Sequence, residues 1–392
     1  MAEANLSYSK MKILQTISFF GTLDGGTSTC TYDLIHAMNS QGYPVDLLTL
    51  QTASAADRLM GNGEPWIKAL PYDACSPYAY SRNIASFLRH SRYDLYHTNG
   101  LWLYCNHATC ATARRQGKPY VITPHGMLYP DALRRSYWKK WPLIQLFFHK
   151  DILHASCMHA TCKEEMEHIR SFGYCGPVAV IPNPVVIPPY VGELTTLPRN
   201  PKTIGFLGRL HPIKKVENIL YGLARLQEGG QSLKLLIMGK GDTEYEKFLH
   251  VETERLKLSD DVEFCGFMDG REKYERLASL SALFVPSDFE NFGMIVTEAL
   301  AVGTPVMASL GTPWEILNTQ HCGWWADRSP ESIAHVMRQV LAMSDEELHD
   351  MGERGRKLVN ERFRESKVAA MMHKLYQWLL DEIPQPSFIH TL

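Results

Sequence analysis

The sequence predicts an α/β protein built from two doubly wound domains, each a parallel sheet with crossover helices. Three observations carry that prediction. Short β-rich runs alternate with helical periodicity along the chain. The alternation breaks at a segment holding six prolines, residues 182–201. A length of 392 residues exceeds what one hydrophobic core usually organises. Two domains imply a cleft.

KILQTIS (12–18) reads as a first strand, followed by a glycine-bearing turn and a helix near 29–40 with Leu34, Ile35 and Met38 on one face. PVDLLTL (44–50), DLYHT (94–98), YVIT (120–123) and VAVIP (178–182) continue the strands. The proline-rich segment interrupts regular structure and reads as a linker. The pattern then restarts: TIGFLG (203–208), a helix from about 215, LKLLIMG (233–239), a helix near 243–257, VEFCG (262–266), ALFVPS (282–287), a helix from about 292, and TPVMAS (304–309). No internal repeat or low-complexity segment is visible in the sequence.

Composition is that of a soluble globular protein, with 45% hydrophobic and 21% charged residues and a net charge of −2, which points away from nucleic acid. Residues 1–190 carry 17 basic against 13 acidic residues, +4, and residues 191–392 carry 23 against 29, −6. The first half leans weakly toward anionic partners. No apolar run approaches the roughly 20 residues that span a bilayer, and MAEANLSYSKMKILQTI does not read as a signal peptide, so cytoplasmic residence is expected. The nine cysteines are odd in number and scattered at 30, 75, 105, 110, 157, 162, 175, 265 and 322, as reduced thiols are. Neither Cys105/Cys110 nor Cys157/Cys162 has the spacing of a zinc knuckle, and no metal site is expected.

In open α/β sheets, ligands sit beyond the carboxyl ends of the strands, so the residues just after each strand are the candidates. After the first comes TLDGGTSTC, where Gly25 and Gly26 either admit a phosphate or sugar close to a helix start or simply form a tight turn. His125 in PHGM follows YVIT, as a site residue or a structural hydrogen-bonding one. In GRLHPIKK, Arg209 and Lys214 precede a helix, as a diphosphate clamp or a solvated loop. In SDFENFGMIVTEAL (287–300), Glu290 leaves a buried strand, Asn291 is a plausible N-cap, and Glu298 falls about two turns into the helix. Ionised carboxylates accept hydrogen bonds and suit vicinal hydroxyls, while the amides of Asn291 to Met294 would face a diphosphate. The plainer readings are a buried salt bridge for Glu298 and a solvated acid for Glu290.

These motifs together resemble the retaining GT-B glycosyltransferases of glycosyltransferase family 4, over nearly the whole chain. The E-x(7)-E pair Glu290/Glu298 in ENFGMIVTEALAVGTPV is the most specific part. GRLHPIKK resembles the family's Arg and Lys clamp, with Lys215 where glycine is common. GGTSTCTYDL resembles its N-terminal glycine loop, TPHGM the segment carrying its active-site histidine, and VIPNPV its interdomain segment, with Pro184 where glycine is frequent.

The resemblance implies a GT-B fold, two Rossmann-like domains facing a central cleft. Residues 1–185 would bind acceptor, joined by a returning helix at about 366–392, and residues 186–365 would bind donor. It implies retaining transfer of a hexose from a nucleoside diphosphate sugar, UDP by family habit, to a sugar or lipid-linked oligosaccharide hydroxyl in bacterial polysaccharide synthesis, without cofactor or metal. Glu298 would hold the ribose, Arg209 and Lys214 the diphosphate, and Glu290 with the amides of Phe292, Gly293 and Met294 the donor sugar. His125 would reach the sugar from the facing domain, and Gly266 and Phe267 would lie near the base. Asp288-Phe-Glu290 superficially resembles the metal-holding acidic pair of the other glycosyltransferase architecture, but the cationic clamp makes a metal redundant. A sugar-nucleotide epimerase or an inactive binding subunit of the same architecture remains as an alternative. A nicotinamide dehydrogenase lacks its glycine fingerprint here.

The acceptor side rests on RRSYWKKWPLIQLFFHK (134–150), which interleaves basic and aromatic residues. It fits either an anionic membrane surface, at the inner face of the plasma membrane, or aromatic core packing under a solvated basic face. Pro142 argues against one uninterrupted helix.

Overall fold

The computed structural model describes residues 11–22, 25–51, 58–72, 78–135, 137–195, 200 and 202–392. Cys75, residues 23–24 of the glycine turn, and residues 196–199 and 201 of the proline-rich segment lie outside these. The chain divides into two compact units, one running to Pro184 and taking in Glu365–Leu392, the other being Val185–Arg364.

The first unit contains β1 (Ile13–Phe19), β2 (Val45–Leu50), β3 (Ile67–Leu70), β4 (Leu95–Asn99), β5 (Tyr120–Thr123), β6 (Cys157–Ala160) and β7 (Val178–Val180). The second contains β8 (Thr203–Leu207), β9 (Lys234–Met238), β10 (Val262–Gly266), β11 (Ala282–Val285), β12 (Val306–Ser309) and β13 (Gly323–Ala326). The two-residue β14 (Ile389–His390) returns to the first unit and pairs antiparallel with β7. The first sheet runs β14-β7-β6-β5-β4-β1-β2-β3 and the second β10-β9-β8-β11-β12-β13. Apart from β14, every described pairing between these strands is parallel.

Parallel sheets must be covered on both faces, and the strands read accordingly as near-continuous apolar runs. β11 is ALFV, buried at every position, and in β1 only Phe19 is not fully buried. One face of the second sheet packs on the helices Val216–Glu228 and Pro330–Ala342 through Leu220, Leu223, Ile333 and Met337. Its other face packs on Gly270–Ala278, Met294–Ala301 and Asp345–Arg362 through Leu277, Val296, Leu300 and Leu358. In the first unit the helix Glu365–Leu379 buries Val368, Met372, Leu375 and Tyr376 in one core with Leu34, Ile35 and Met38 of Gly26–Ser40.

Four strands were not anticipated: β3, β6, β13 and β14. The proline-rich segment is also less loose than its composition suggests. Within it, Val191–Leu194 forms a helical turn with both end residues buried, and the Val185 amide donates to the Phe363 carbonyl at 2.8 Å. Proline removes donors but leaves the intervening apolar side chains free to pack.

At the carboxyl ends of β8 and β9, the chain passes so closely that a Cβ on Gly239, whose φ is +151°, would lie 1.9 Å from the Gly208 carbonyl oxygen. Gly239→Ala is expected to destabilise the protein by about 2–4 kcal/mol through this clash. Urea unfolding measures the change, and a variant within about 0.5 kcal/mol of wild type contradicts it.

Candidate functional site

Strand order in the second sheet reverses between β8 and β11, so the loops leaving their carboxyl ends lie side by side. The Asp288 amide donates to the Ile213 carbonyl at 2.8 Å, joining the two loops directly. Arg209 stands exposed just beyond β8, and among the described residues no acid pairs with it. Lys214 ends a 3-10 turn, Pro212–Lys214, that starts where His211 Nδ1 accepts from the Ile213 amide at 3.2 Å. Lys215 then adopts a left-handed φ of 52°, which explains physically why glycine suits this position. Its ammonium lies 3.4 Å from Asp288, which also pairs with Arg328 at 2.8 Å.

Glu290 is not a solvated loop acid. Its Oε1 receives Lys214 Nζ in an ion pair and Ser287 Oγ at 2.9 Å, while its amide donates to the Gly311 carbonyl at 3.2 Å. Glu298 forms the salt bridge of the plainer reading, with Lys273 Nζ 3.0 Å from Oε1. Desolvation raises the Glu298 carboxyl above its ordinary value of 4.5, and Lys273 opposes that rise. The contacts found for each acid fall on Oε1. A carboxylate so held keeps lone pairs on its second oxygen with which to accept hydroxyls.

Asn291 does not cap the helix. Gly293, at a φ of 77°, is the N-cap, and the helix is Met294–Ala301. A left-handed turn is needed to swing the chain into the helix, and glycine adopts it without strain, which outweighs the preference for asparagine at caps. Phe292 therefore precedes the helix. Its side chain joins Trp314 and Phe363 with ring centroids 5.4 and 5.8 Å away, and its carbonyl accepts from Trp314 Nε1 at 2.6 Å. Glu298 is the fifth helical residue, a little over one turn in rather than two. Met294 heads the helix, whose first two amides precede the Val296 amide that donates to the Gly293 carbonyl at 2.9 Å. Gly266 ends β10, and Phe267 beside it is 71% exposed.

The remaining candidates belong to the first unit. Gly25 caps the helix Gly26–Ser40, and a Cβ on either glycine would meet nothing within 4 Å. His125 follows β5 with a left-handed φ of 50°. The Gly126 amide donates to Glu165 Oε1 at 2.6 Å, and Glu165 Oε2 accepts from the Thr161 amide and hydroxyl, both at 2.8 Å. Burial pushes the His125 imidazole down to about 3, so it is neutral.

Residues 137–153 stay helical despite Pro142. Tyr137–Leu143 passes into a wider π turn, Ile144–Phe148, and then His149–Leu153. Pro142 lacks the amide that would bond to the Trp138 carbonyl, and the helix widens into the π turn just after it. Ile144 and Phe148 are buried, whereas Trp138 is 86% and Leu146 70% exposed, beside exposed Arg134, Arg135 and Lys139. Core packing thus accounts for Ile144 and Phe148 and not for Trp138 or Leu146. Among the described residues, no helix is long and apolar enough to cross a membrane.

Sequence reading missed Lys273, Ser287, Arg328 and Glu165. Nothing in local spacing marks Lys273, which reaches Glu298 only because Gly270–Ala278 packs beside Met294–Ala301. Ser287 sits three residues before Glu290, and that proximity was the one usable signal.

A glycosyl transferase 4-like domain matches residues 25–184, and a glycosyl transferases group 1 domain matches residues 194–358. A GDP-mannose-dependent alpha-(1-6)-phosphatidylinositol dimannoside mannosyltransferase of Mycobacterium tuberculosis is 32% identical over 136 residues, 34% of each chain. The chain thus matches about a third of the length of such curated relatives. Among solved structures, sucrose-phosphate synthase from Thermosynechococcus elongatus aligns with a TM-score of 0.74 at 19% identity, covering 95% of this chain and all of that one. Anabaena HepE in complex with UDP and glucose aligns at 0.68 and 16%, covering 94% and 100%. Both share the fold.

The raised Glu298 carboxyl carries a stability signature. The folded chain keeps this proton at pH values where the unfolded chain has lost it, so the contribution is full below about 4.5 and is lost as pH rises through the raised value. Glu298→Gln, which cannot titrate, is expected to gain in melting temperature relative to wild type as pH climbs through that window. Parallel melting curves across pH would contradict the desolvated carboxylate.

Proposed function

Since the chain belongs to the glycosyl transferases group 1 family, with a glycosyl transferase 4-like domain ahead of the matched segment, we propose that it is a retaining, metal-independent hexosyltransferase using a nucleoside diphosphate sugar. The observation that carries this reading is the Lys214–Glu290 pair, formed between the loops that leave β8 and β11 at the strand-order reversal, with Arg209 on the first of those loops. In this reading the bond from the anomeric carbon to the phosphate oxygen breaks, and negative charge grows on the departing diphosphate. Arg209, Lys214 and the amides heading Met294–Ala301 meet that charge. The acceptor oxygen bonds to the anomeric carbon on the same face, and its proton passes to the departing phosphate oxygen. These two cations supply the neutralisation that a divalent ion would otherwise give.

Glu290 and Glu298 accept hydroxyls of the sugar and the ribose, with Lys214 and Lys273 fixing their orientation. UDP-hexose is the proposed donor, a reading supported by HepE, which was solved with UDP and glucose. The proposed acceptor is a sugar or lipid-linked oligosaccharide hydroxyl in bacterial polysaccharide synthesis. The exposed Trp138 and Trp141 beside Arg134, Arg135 and Lys139 favour an anionic membrane surface as the place where such an acceptor is met.

A thermal-shift screen of nucleotide sugars identifies the donor, since a ligand at a hundred times its dissociation constant stabilises by about 2.7 kcal/mol. Incubating that donor with and without acceptor then separates transfer from epimerisation, because an epimerase converts the donor alone. No stabilisation by any nucleotide sugar would remove the donor site.

Arg209→Ala is expected to lower kcat by more than it weakens donor binding, because the charge it meets grows in the transition state. Equal losses in both would make it a passive contact. Flotation with vesicles containing anionic lipid is expected to carry the wild-type chain and to leave a Trp138→Ala/Trp141→Ala variant behind. Recovery independent of anionic lipid, or of those rings, rules the surface out.

A further inference from the structure

The first unit buries an unbroken line of hydrogen-bonding side chains that ends at His125. His159 Nε2 lies 2.8 Å from the Ile181 carbonyl oxygen, and His159 Nδ1 lies 2.8 Å from Thr123 Oγ1. Thr123 Oγ1 lies 2.6 Å from His97 Nε2, and His97 Nδ1 lies 2.7 Å from the Tyr376 hydroxyl. Gln15 Nε2 lies 2.8 Å from that hydroxyl, Asn99 Nδ2 lies 2.9 Å from Gln15 Oε1, and Asn99 Oδ1 lies 3.2 Å from His125 Nε2. Gln15, His97, Thr123 and Tyr376 are wholly buried, and Asn99 and His159 are 5% and 4% exposed.

The direction of every bond follows from the far end. A carbonyl only accepts, so His159 Nε2 carries the proton there. Burial holds His159 near 4 and His97 well below its ordinary 6.5, so each ring is neutral, with one N–H and one bare nitrogen. His159 Nδ1 therefore accepts from the Thr123 hydroxyl, whose oxygen accepts from His97 Nε2–H. The bare His97 Nδ1 accepts from the Tyr376 hydroxyl. That hydroxyl has spent its one proton, so its oxygen accepts from the Gln15 amide. The Gln15 oxygen accepts from the Asn99 amide, leaving Asn99 Oδ1 toward His125, which must donate from Nε2. No step leaves a choice.

We propose that this line is a positioning device that holds His125 as the Nε2–H tautomer with Nδ1 bare, and that Tyr376 on the C-terminal helix is its central positioning residue. Nδ1 of His125 has no hydrogen-bond partner among the described residues. Held bare, it accepts from a hydroxyl and cannot donate, which selects a substrate O–H over a substrate oxygen that only accepts. That consequence rests on the reading of His125 as a substrate contact; the tautomer itself does not.

Long-range proton–nitrogen correlation spectra of the intact protein at neutral pH, with imidazole nitrogens labelled and His125 assigned through His125→Asn, test the device without donor or acceptor. Wild type is expected at the limiting shifts of a pure Nε2–H tautomer. Tyr376→Phe keeps the ring but removes the hydroxyl that donates to His97 and accepts from Gln15. The His125 shifts are then expected to move off those limits as an Nδ1–H fraction appears. Thr123→Val should break the line at a second point with the same result if Tyr376→Phe does not fold, and Thr123→Ser should restore the pure tautomer. His125 remaining at the limits in a folded Tyr376→Phe or Thr123→Val, or Nδ1–H in wild type, overturns the proposal whatever the activity. Once donor and acceptor are known, Tyr376→Phe should slow transfer on the order of tenfold. A shifted tautomer with unchanged transfer leaves the device standing and removes His125 from the substrate.

Discussion

The reversal of strand order between β8 and β11 is the constraint on which the second unit depends. The helix following β8 packs on one face of the sheet and the helix following β11 on the other. The two exit loops consequently diverge from neighbouring strands and leave a crevice at their carboxyl ends. Arg209 and Lys214 enter from one loop and Glu290 from the other, and the bond from the Asp288 amide to the Ile213 carbonyl keeps them from drifting apart. Chemistry that joins cations to hydroxyl acceptors needs both loops, and this topology brings them together without a long excursion of chain.

Charge in that crevice is positive in excess and unevenly committed. Lys214 and Glu290 neutralise one another, Lys215 and Arg328 share Asp288, and Arg209 has no acid beside it among the described residues. An anion arriving there meets one uncompensated guanidinium and a lysine whose partner can remain in place. Partly buried pairs of this kind add little net stability, because desolvation offsets most of the Coulomb attraction. What they supply is orientation. Lys273 acts on Glu298 in the same way and opposes the desolvation that favours its protonated form.

Much of this was legible in the sequence because it is periodic or local. The runs TIGFLG and ALFVPS announce strands through near-continuous apolar character, and the spacing of Glu290 and Glu298 survives folding because both lie in one short segment. The illegible parts depend on what folds beside them. β3 is a half-buried edge strand of four residues, too short and mixed for a clear period. The helix start slipped from Asn291 to Gly293 because a cap is decided by backbone direction, which composition does not encode. Lys273 and Tyr376 act on partners 25 and 279 residues away, at distances where no spacing rule operates.

His125 shows how such distant contacts make an otherwise unfavourable residue tenable. A histidine with a left-handed φ and a desolvated ring carries strain on the order of 1–3 kcal/mol and gives up ionisation at neutral pH. Its neighbours remove both freedoms that could relieve this. Glu165 accepts the Gly126 amide and fixes the backbone turn, while Asn99, oriented through Gln15 by Tyr376, fixes the ring. The backbone anchor comes from the helix Lys163–Ser171 and the ring anchor from strands β1 and β4 with the C-terminal helix, so neither can relax by moving one element. A residue needed only for packing could be held by far less. The cost of two independent anchors is accounted for if what must be preserved is the direction and protonation of a single nitrogen.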